Sequence, residues 1–331
     1  SFYLYNDYTS GKITLDEMTK HEGCLYGSAG ACPIMGTANT CQTVTEALGI
    51  ALTNSASCLG VSAKKLRVSE ETGRKAVEPV KNDIKCLDII NKKSIENAIR
   101  VLMATGGSTN LIIHLIAIAR RANIDLKLDD FERISKETPV LVNVKPHGTE
   151  NVGMGFHNAG GVASLMKEME GMLNGDCLTV TGKTISENLK DIDMPYDTNT
   201  IRPLDNPIEE QGGIAVLYGN LAPNGAVIKR SAASAHLLNH RGKAKVFEDL
   251  TECQKYLLDE NSDITPDTVI VLRGYGPKGA PGMPENGNFM PLPPKLNKMG
   301  VNDFVRITDA RMSGGCFGTQ VLHVAPESAV G

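Results

Sequence analysis

The spacing of apolar residues changes near residue 191, and this change restricts the folds that are compatible with the chain. Before it, apolar residues recur at helical spacing, as in Val44, Leu48 and Leu52. After it, short β-branched segments are separated by glycine and proline, which is typical of strands in a compact sheet. The predicted strands cover 213–218, 226–229, 244–247, 268–272 and 304–308. The sequence therefore predicts an α/β protein with two unlike parts.

The first part reads as helices interrupted by two strands. Helices are predicted over 14–20, 40–52, 69–81, 94–104, 111–121 and 163–173, and strands over 139–144 and 178–181. Ser108 is the predicted N-cap of the helix over 111–121, and Thr184 begins a capping box. Residues 191–212 are rich in Pro, Asp and Asn and predict a linker. We therefore expect an α/β/α domain with a parallel sheet over 1–198 and a β-barrel domain of the swivelling type over 199–331.

Composition excludes several classes of protein. The formal net charge is −4 and aromatic residues are 5% of 331 residues, so neither a basic face nor a base-stacking platform for nucleic acid is expected. No apolar run approaches the roughly 18–20 residues of a membrane span. The eight cysteines follow no zinc-binding spacing and are expected to be mostly reduced, in a cytosolic compartment. The sequence thus predicts a cytoplasmic protein (organellar if eukaryotic) without a nucleic-acid or membrane partner.

Two glycine motifs lack the context that their usual function needs. Gly274-x-Gly276-x-x-Gly279 matches the dinucleotide fingerprint, but Pro281 and Pro284 follow where that fold requires a helix. Gly182-Lys183-Thr184 resembles the end of a phosphate-binding loop, but its first glycine is replaced by Cys177. We interpret both as turns.

Three segments are too rich in glycine and proline to be ordinary core, and such loops usually carry function. They are Gly30–Thr40, Gly276–Glu285 and Thr308–Gly315. With these segments in view, the chain resembles the dihydroxy-acid and sugar-acid dehydratases, which are iron–sulfur lyases of branched-chain amino-acid synthesis and aldonate breakdown. The resemblance runs almost end to end, and it further includes 96–116, 178–189, 201–207, 219–229 and 323–328. Residues 281–285, 291–293, 309–314 and 231–233 look more like the aldonate branch.

The resemblance implies a reaction and a set of residues. Such enzymes remove water from a 2,3-dihydroxy acid and give a 2-keto-3-deoxy acid, using a [2Fe–2S] cluster and Mg²⁺. Position by position, Cys32 matches a cluster cysteine, Glu285 matches a Mg²⁺ carboxylate, and Ser313 matches the proposed base. Lys278 is a candidate for contact with an anionic substrate. Ser108 and Thr109 are further substrate-loop candidates.

Each residue also has a structural alternative. A lone cysteine is usually buried and inert, Glu285 alone reads as a solvated loop acid, and Ser313 alone reads as a turn residue. The family's other metal ligands lie upstream of the segment that contains Cys32, so the resemblance implies an internal part of a longer enzyme. We therefore expect this chain to be inactive by itself, with one cluster ligand and one Mg²⁺ ligand.

Three hypotheses about the parent protein follow. The leading one is a hydro-lyase acting on a sugar acid, and the second is a dihydroxy-acid dehydratase of branched-chain amino-acid synthesis. The third is a non-catalytic relative that lacks the cluster and serves as a binding or assembly module. By analogy with relatives we expect a homodimer or homotetramer.

Overall fold

The structure is a computed structural model that describes residues 2–26, 28–286, 290–313 and 317–331. By their internal contacts the residues form two compact units. The helical unit comprises Ser28–Ile214, and the sheet unit comprises Ser1–Gly27 with Ala215–Gly331. The chain is therefore a mixed α/β protein, as the apolar patterns predict. The predicted boundary at residue 198 lies inside the helical unit.

Most helices belong to the helical unit, and all regular strands of the described residues belong to the sheet unit. The helices are α1 (Phe2–Thr9), α2 (Leu15–Glu22), α3 (Thr37–Ala47), α4 (Ala63–Lys75), α5 (Val77–Lys81), α6 (Cys86–Ile89), α7 (Lys92–Ala104), α8 (Asn110–Arg121), α9 (Leu128–Glu137), α10 (Gly161–Glu168), α11 (Ile185–Leu189), α12 (Leu250–Leu258) and α13 (Pro294–Lys298). The strands are β1 (Ala215–Leu217), β2 (Ala226–Ile228), β3 (Ala244–Phe247), β4 (Val269–Leu272), β5 (Arg306–Thr308) and β6 (Gln320–Leu322). None of the helices in the described ranges is long and apolar enough to span a membrane.

The six strands form one sheet in the order β1-β2-β6-β5-β4-β3. Strands β3 to β6 run parallel to one another, and β2 pairs antiparallel with both β1 and β6. Five predicted strands are confirmed, whereas β6 and α12 were not predicted. Closure of the sheet into a barrel stays a prediction. The parallel pairing brings the carboxyl ends of β4, β5 and β6 to one edge, where ligands commonly bind in such sheets.

The helical unit is built around the apolar face of α7. Ile95, Ile99 and Leu102 follow the spacing of one helix face, and each is at most 1% exposed. The side chain of Asn91 caps this helix by accepting a hydrogen bond from the backbone N–H of Ser94 at 3.1 Å. The helix predicted over 94–104 is thereby confirmed.

The extended segment over 139–144 does not become a strand of a parallel sheet. Val140 and Val142 form single antiparallel bridges with Glu209 and Ile201, respectively. Each of these segments pairs with Val140 or Val142 through one residue only. No β-strand pairing of two or more consecutive residues therefore forms in the described part of the helical unit. The predicted parallel sheet of the first domain is therefore not seen there.

The predicted linker over 191–212 is wrong, because this segment packs on the helical unit. Thr200 and Ile201 are fully buried, and the N–H groups of Arg202 and Ile208 donate to the carbonyls of Leu141 and Val140. Pro, Asp and Asn serve here as turn residues: the Asp197 carboxylate accepts from the Thr200 hydroxyl at 2.6 Å.

Several predicted helix boundaries also shift; the helix predicted over 40–52 is α3, over Thr37–Ala47. The helix predicted over 69–81 is two helices, α4 and α5, and it begins earlier because Ser62 caps it, accepting from the N–H of Lys65. The helix predicted over 163–173 ends at Glu168. Helix α8 begins at Asn110 with Thr109 as its N-cap residue, although the Ser108 hydroxyl still accepts from the Asn110 N–H at 3.3 Å. The capping box at Thr184 is confirmed.

The amino-terminal helix α1 is attached to the sheet unit through Asn297 of α13. The Asn297 amide donates to the carbonyl of Asn6 at 2.9 Å and to the hydroxyl of Ser10 at 2.8 Å. Its oxygen accepts from the ammonium of Lys12 at 2.7 Å. Asn297 is 6% exposed, so this buried amide is saturated with hydrogen bonds.

Candidate functional site

The segment that contains Cys32 is held by hydrogen bonds from three directions. The amide of Asn39, in the first turn of α3, donates to the carbonyls of Cys32 at 2.6 Å and Ile34 at 2.7 Å. The N–H of Met35 donates to the carbonyl of Lys145, and the carbonyl of Pro33 accepts from Val152. Cys32 itself is exposed. The backbone is thus fixed while the residue that carries the thiol stays accessible.

Ser108 and Thr109 lie beside α3 and are almost fully buried. The hydroxyls of Ser108 and Thr37 are 3.1 Å apart, and the N–H of Ser108 donates to the hydroxyl of Thr40 at 3.0 Å. Gly107 is needed for this approach, since a Cβ there would lie 2.5 Å from the methyl carbon of Thr40. In this structure the pair supports the helix that follows Cys32, and a substrate role for either residue stays a prediction.

The segments that carry Glu285 and Ser313 follow two neighbouring parallel strands, β4 and β5. Glu285 forms a parallel bridge with Arg311. The N–H of Asn286 donates to the carbonyl of Arg311 at 3.0 Å, and Nε of Arg311 donates to the carbonyl of Met283 at 2.6 Å. Arg311 therefore links the Glu285 segment to its own segment, which reaches Ser313 two residues later. Gly314 and Gly315, the end of the third loop motif, lie outside the described residues.

Two buried carboxylates organise the segment that carries Lys278. Asp309 accepts hydrogen bonds from the N–H groups of Gly274 and Tyr275, both at 3.0 Å. Glu327 accepts from the N–H groups of Lys278 at 2.8 Å and Gly279 at 3.1 Å. These protein carboxylates occupy the N–H groups that a pyrophosphate would need. The dinucleotide interpretation is therefore excluded on the geometry, and the next described helix begins only at Pro294.

Two polar side chains at this edge have no hydrogen-bond partner among the described residues. Asn286 is 1% exposed, and neither its amide oxygen nor its amide nitrogen is bonded. The same holds for both ring nitrogens of His323. Burial, together with the positive charge of Arg311, lowers the pKa of His323 to about 3. The imidazole is therefore neutral at physiological pH, with one donor and one acceptor nitrogen.

The donor types suit the expected metals, but the described residues do not complete either site. A cysteine thiolate is the usual ligand of an iron–sulfur cluster, and a carboxylate suits Mg²⁺. Among the described residues, no group of three or more His, Cys, Asp or Glu side chains is placed to hold a metal ion. Cys32 and Glu285 would each supply one ligand, and metal chemistry needs more than these two.

Sequence reasoning missed the residues that hold these segments in place. Asn39 and Arg311 are polar residues inside motifs that were already singled out, so their types were a usable signal. Asp309 and Glu327 bond to N–H groups about 35 and 49 residues away. No local pattern reports such partners.

Comparison with known proteins agrees with this architecture. Residues 1–188 match the family profile described as dihydroxy-acid/6-phosphogluconate dehydratase N-terminal, and residues 199–331 match the corresponding C-terminal profile. The chain is 46% identical over 324 residues to a protein named L-arabinonate dehydratase from Rhizobium leguminosarum bv. trifolii (97% of this chain and 55% of that protein). It is 47% identical over 289 residues to L-arabonate dehydratase of Azospirillum brasilense (86% and 49%).

A relative named for the second substrate hypothesis is similarly close. The dihydroxy-acid dehydratase of Polaromonas naphthalenivorans is 42% identical over 335 residues, covering 100% of this chain and 58% of that protein. The chain thus spans about half the length of these relatives. Both profiles and all three relatives agree, and the chain belongs to the dihydroxy-acid/6-phosphogluconate dehydratase family.

Proposed function

We propose that the protein containing this chain is a hydro-lyase that converts a 2,3-dihydroxy carboxylic acid into the 2-keto-3-deoxy acid. The observation that carries this proposal is the attachment of the Glu285 segment to the segment of Ser313 by Arg311, at the carboxyl edge of the parallel strands. The names of the relatives support the reaction class, and those named for arabonate favour a sugar acid as substrate.

In this proposal each residue has one task. Ser313 accepts the proton from C2 of the substrate, and the C3–O bond breaks. The enol that results becomes the ketone when C3 takes up a proton, so the balance is the loss of one water. Lys278 is exposed and offers an ammonium group to the substrate carboxylate. Ser108 and Thr109 are further candidates for contact with the substrate.

Cys32 would ligate a [2Fe–2S] cluster and Glu285 would ligate Mg²⁺, together with residues outside this chain. Bound metals supply Lewis acidity to the leaving hydroxyl and stabilise a serine alkoxide. We further propose a cytoplasmic homodimer or homotetramer. The branched-chain dihydroxy acid is the alternative substrate, since a relative at 42% identity carries that name.

The test is to incubate the protein that contains this chain with a panel of aldonates and with 2,3-dihydroxy-3-methylbutanoate, and to quantify the keto acids by mass spectrometry. Substrate labelled with deuterium at C2 is expected to lose the label to solvent. Ser313→Ala should lower kcat by about 10²–10⁴-fold, the usual contribution of a general base. The control Ser69→Ala, on the exposed face of α4, should leave kcat unchanged.

Two results would contradict the proposal. Full activity of Ser313→Ala would remove the serine from the reaction. If the metal-loaded protein converts no 2,3-dihydroxy acid, the non-catalytic binding module becomes the better interpretation.

A further inference from the structure

Asn286 is a buried asparagine whose amide bonds to nothing among the described residues. It follows Glu285 directly, and its backbone N–H is fixed on the carbonyl of Arg311. Asn297, in the same unit, is a buried asparagine for comparison. Its amide has hydrogen bonds to Asn6, Ser10 and Lys12. The bare amide of Asn286 is thus an exception that needs a physical reason.

His323 is a second exception at the same place. Its backbone N–H donates to the carbonyl of Ala310 at 3.0 Å, whereas the N–H of Asn286 donates to the carbonyl of the next residue, Arg311. The backbones of Asn286 and His323 are therefore bonded to neighbouring carbonyls of one segment. Ser313 follows two residues later. Four side-chain atoms without a hydrogen-bond partner among the described residues thus belong to two residues whose backbones bond to the segment that carries the proposed base.

A buried polar group without a partner destabilises the folded state, and native proteins contain few of them. They persist where a ligand or an ordered water completes the hydrogen bonds. An amide offers both a donor and an acceptor, and a neutral imidazole offers one of each. A vicinal diol has the same mixed character, because every hydroxyl group can donate and accept.

We infer that Asn286 and His323 are specificity-determining residues that bind hydroxyl groups of a polyhydroxylated acid, so that the enzyme prefers sugar acids to branched-chain dihydroxy acids. This inference rests on the proposed function. A sugar acid carries hydroxyls at C4 and beyond, which would complete the four bare atoms. A branched-chain acid has methyl groups there, and its binding would leave the amide and the imidazole buried without partners.

The experiment compares two acids that differ only in these hydroxyls: 2,3,4,5-tetrahydroxypentanoate and 2,3-dihydroxypentanoate. A site built to bond a hydroxyl rejects the analogue that lacks it by about 10⁴-fold. We expect kcat/KM of the unmodified protein to favour the tetrahydroxy acid by about this factor. If the unmodified protein converts both acids equally well, this inference is overturned while the proposed function stands. If it converts neither these acids nor any other 2,3-dihydroxy acid, the proposed function itself fails.

Variants of Asn286 identify the residue responsible. Asn286→Leu removes the bare polar atoms at similar volume, so it should keep or raise the melting temperature while the preference falls to within about tenfold. Asn286→Ala serves as a second variant that cannot clash. The control Asn297→Leu breaks real hydrogen bonds, so it should lower the melting temperature and keep the preference. An undiminished preference in both Asn286 variants would overturn the assignment.

His323 needs its own pair of variants, because its backbone has a positive φ of 55°. Asparagine tolerates this conformation, and its side chain has a hydrogen-bond donor and an acceptor. The side chain of alanine has no donor and no acceptor. His323→Asn should therefore retain much of the preference for the tetrahydroxy acid, and His323→Ala should lose it. Equal preferences in the two variants would overturn the role of the imidazole.

Discussion

Arg311 and Met283 are joined by a hydrogen bond from the guanidinium Nε to the carbonyl oxygen, at 2.6 Å. Met283 is 9% exposed and has a positive φ of 48°, a conformation that few residues other than glycine adopt. The hydrogen bond from Arg311 thus holds the turn at Met283, although Arg311 is not part of that turn. Because Glu285 follows two residues later, the position of its carboxylate depends on a residue in another segment.

Loss of the Arg311 side chain should loosen the Glu285 segment. Arg311→Ala removes a charged hydrogen bond, which is typically worth about 1.5–3 kcal/mol. We expect faster hydrogen–deuterium exchange in peptides that cover 283–286. The control Arg273→Ala removes an exposed ion pair with Glu248, worth about 0–1 kcal/mol, and should leave this exchange unchanged. Equal protection in Arg311→Ala and the unmodified protein would contradict the attachment.

Asn39 should matter for stability because one amide group satisfies two carbonyls. Asn39→Ala leaves the carbonyls of Cys32 and Ile34 without these donors, which should lower the free energy of unfolding by about 1–3 kcal/mol. Urea denaturation provides the measurement. The matched control is Gln42→Ala on the exposed side of the same helix, expected within about 0.5 kcal/mol of the unmodified protein. Similar values for both variants would argue against this role.

Titration of Glu46 should make the stability of the folded protein depend on pH. The residue is 3% exposed, and although its carboxylate accepts hydrogen bonds from the N–H groups of Asn54, Ser55 and Ala56, burial raises its pKa from 4.5 to about 7. The folded state therefore holds this proton more tightly than the unfolded state. Its contribution to stability is complete below pH 4.5 and is lost as the pH rises through 7, by about 3 kcal/mol in total.

Glu46→Gln removes this titration and provides the comparison. Urea denaturation at several pH values between 5 and 8 should show the free energy of unfolding of the unmodified protein falling relative to the variant. A difference that stays constant across this range would show that Glu46 does not titrate there.

The cysteines should separate into reactive and unreactive groups. Cys24, Cys32 and Cys86 are exposed, whereas Cys177 and Cys253 are buried, and burial raises their pKa values to about 11 and about 12. Iodoacetamide at pH 8 should label the buried pair only after unfolding, because the thiolate is the reactive form. If Cys32 binds a cluster, it should be labelled only once iron is removed, while Cys24 and Cys86 react throughout. Equal labelling of Cys32 in both states would contradict cluster ligation.

Local sequence patterns predict the helices and strands of this fold better than they predict which residues or strands pair with one another. Strand β3 matches its prediction over 244–247 because Val246 and Phe247, two residue types enriched in strands, lie in a short segment between turn residues, which is a local signal. Helix α12 carried a similar signal, since Asp249 caps it and Cys253 and Leu257 share one buried face. It was missed because the second part was interpreted as strands alone.

The linker prediction failed for a different reason. Composition cannot distinguish a free Pro- and Asn-rich segment from one that is anchored by buried residues such as Thr200 and Ile201. For the candidate site, the motifs located Cys32, Glu285 and Ser313 on exposed or half-buried segments. That the amide of Asn286 has no partner in the described part of the chain is visible only in three dimensions, because a hydrogen-bond partner is not a property of the sequence.

The position of β6 has a consequence for the order of folding. Strand β6 lies between β2 and β5, so it alone connects the antiparallel pair β1-β2 to the parallel strands β3, β4 and β5. It is also the last of the six strands to leave the ribosome. Until residues 320–322 are synthesised, β2 and β5 each lack the neighbour that they have in the finished sheet. Sheet assembly is therefore a late event, and both edges are open to wrong pairing until then.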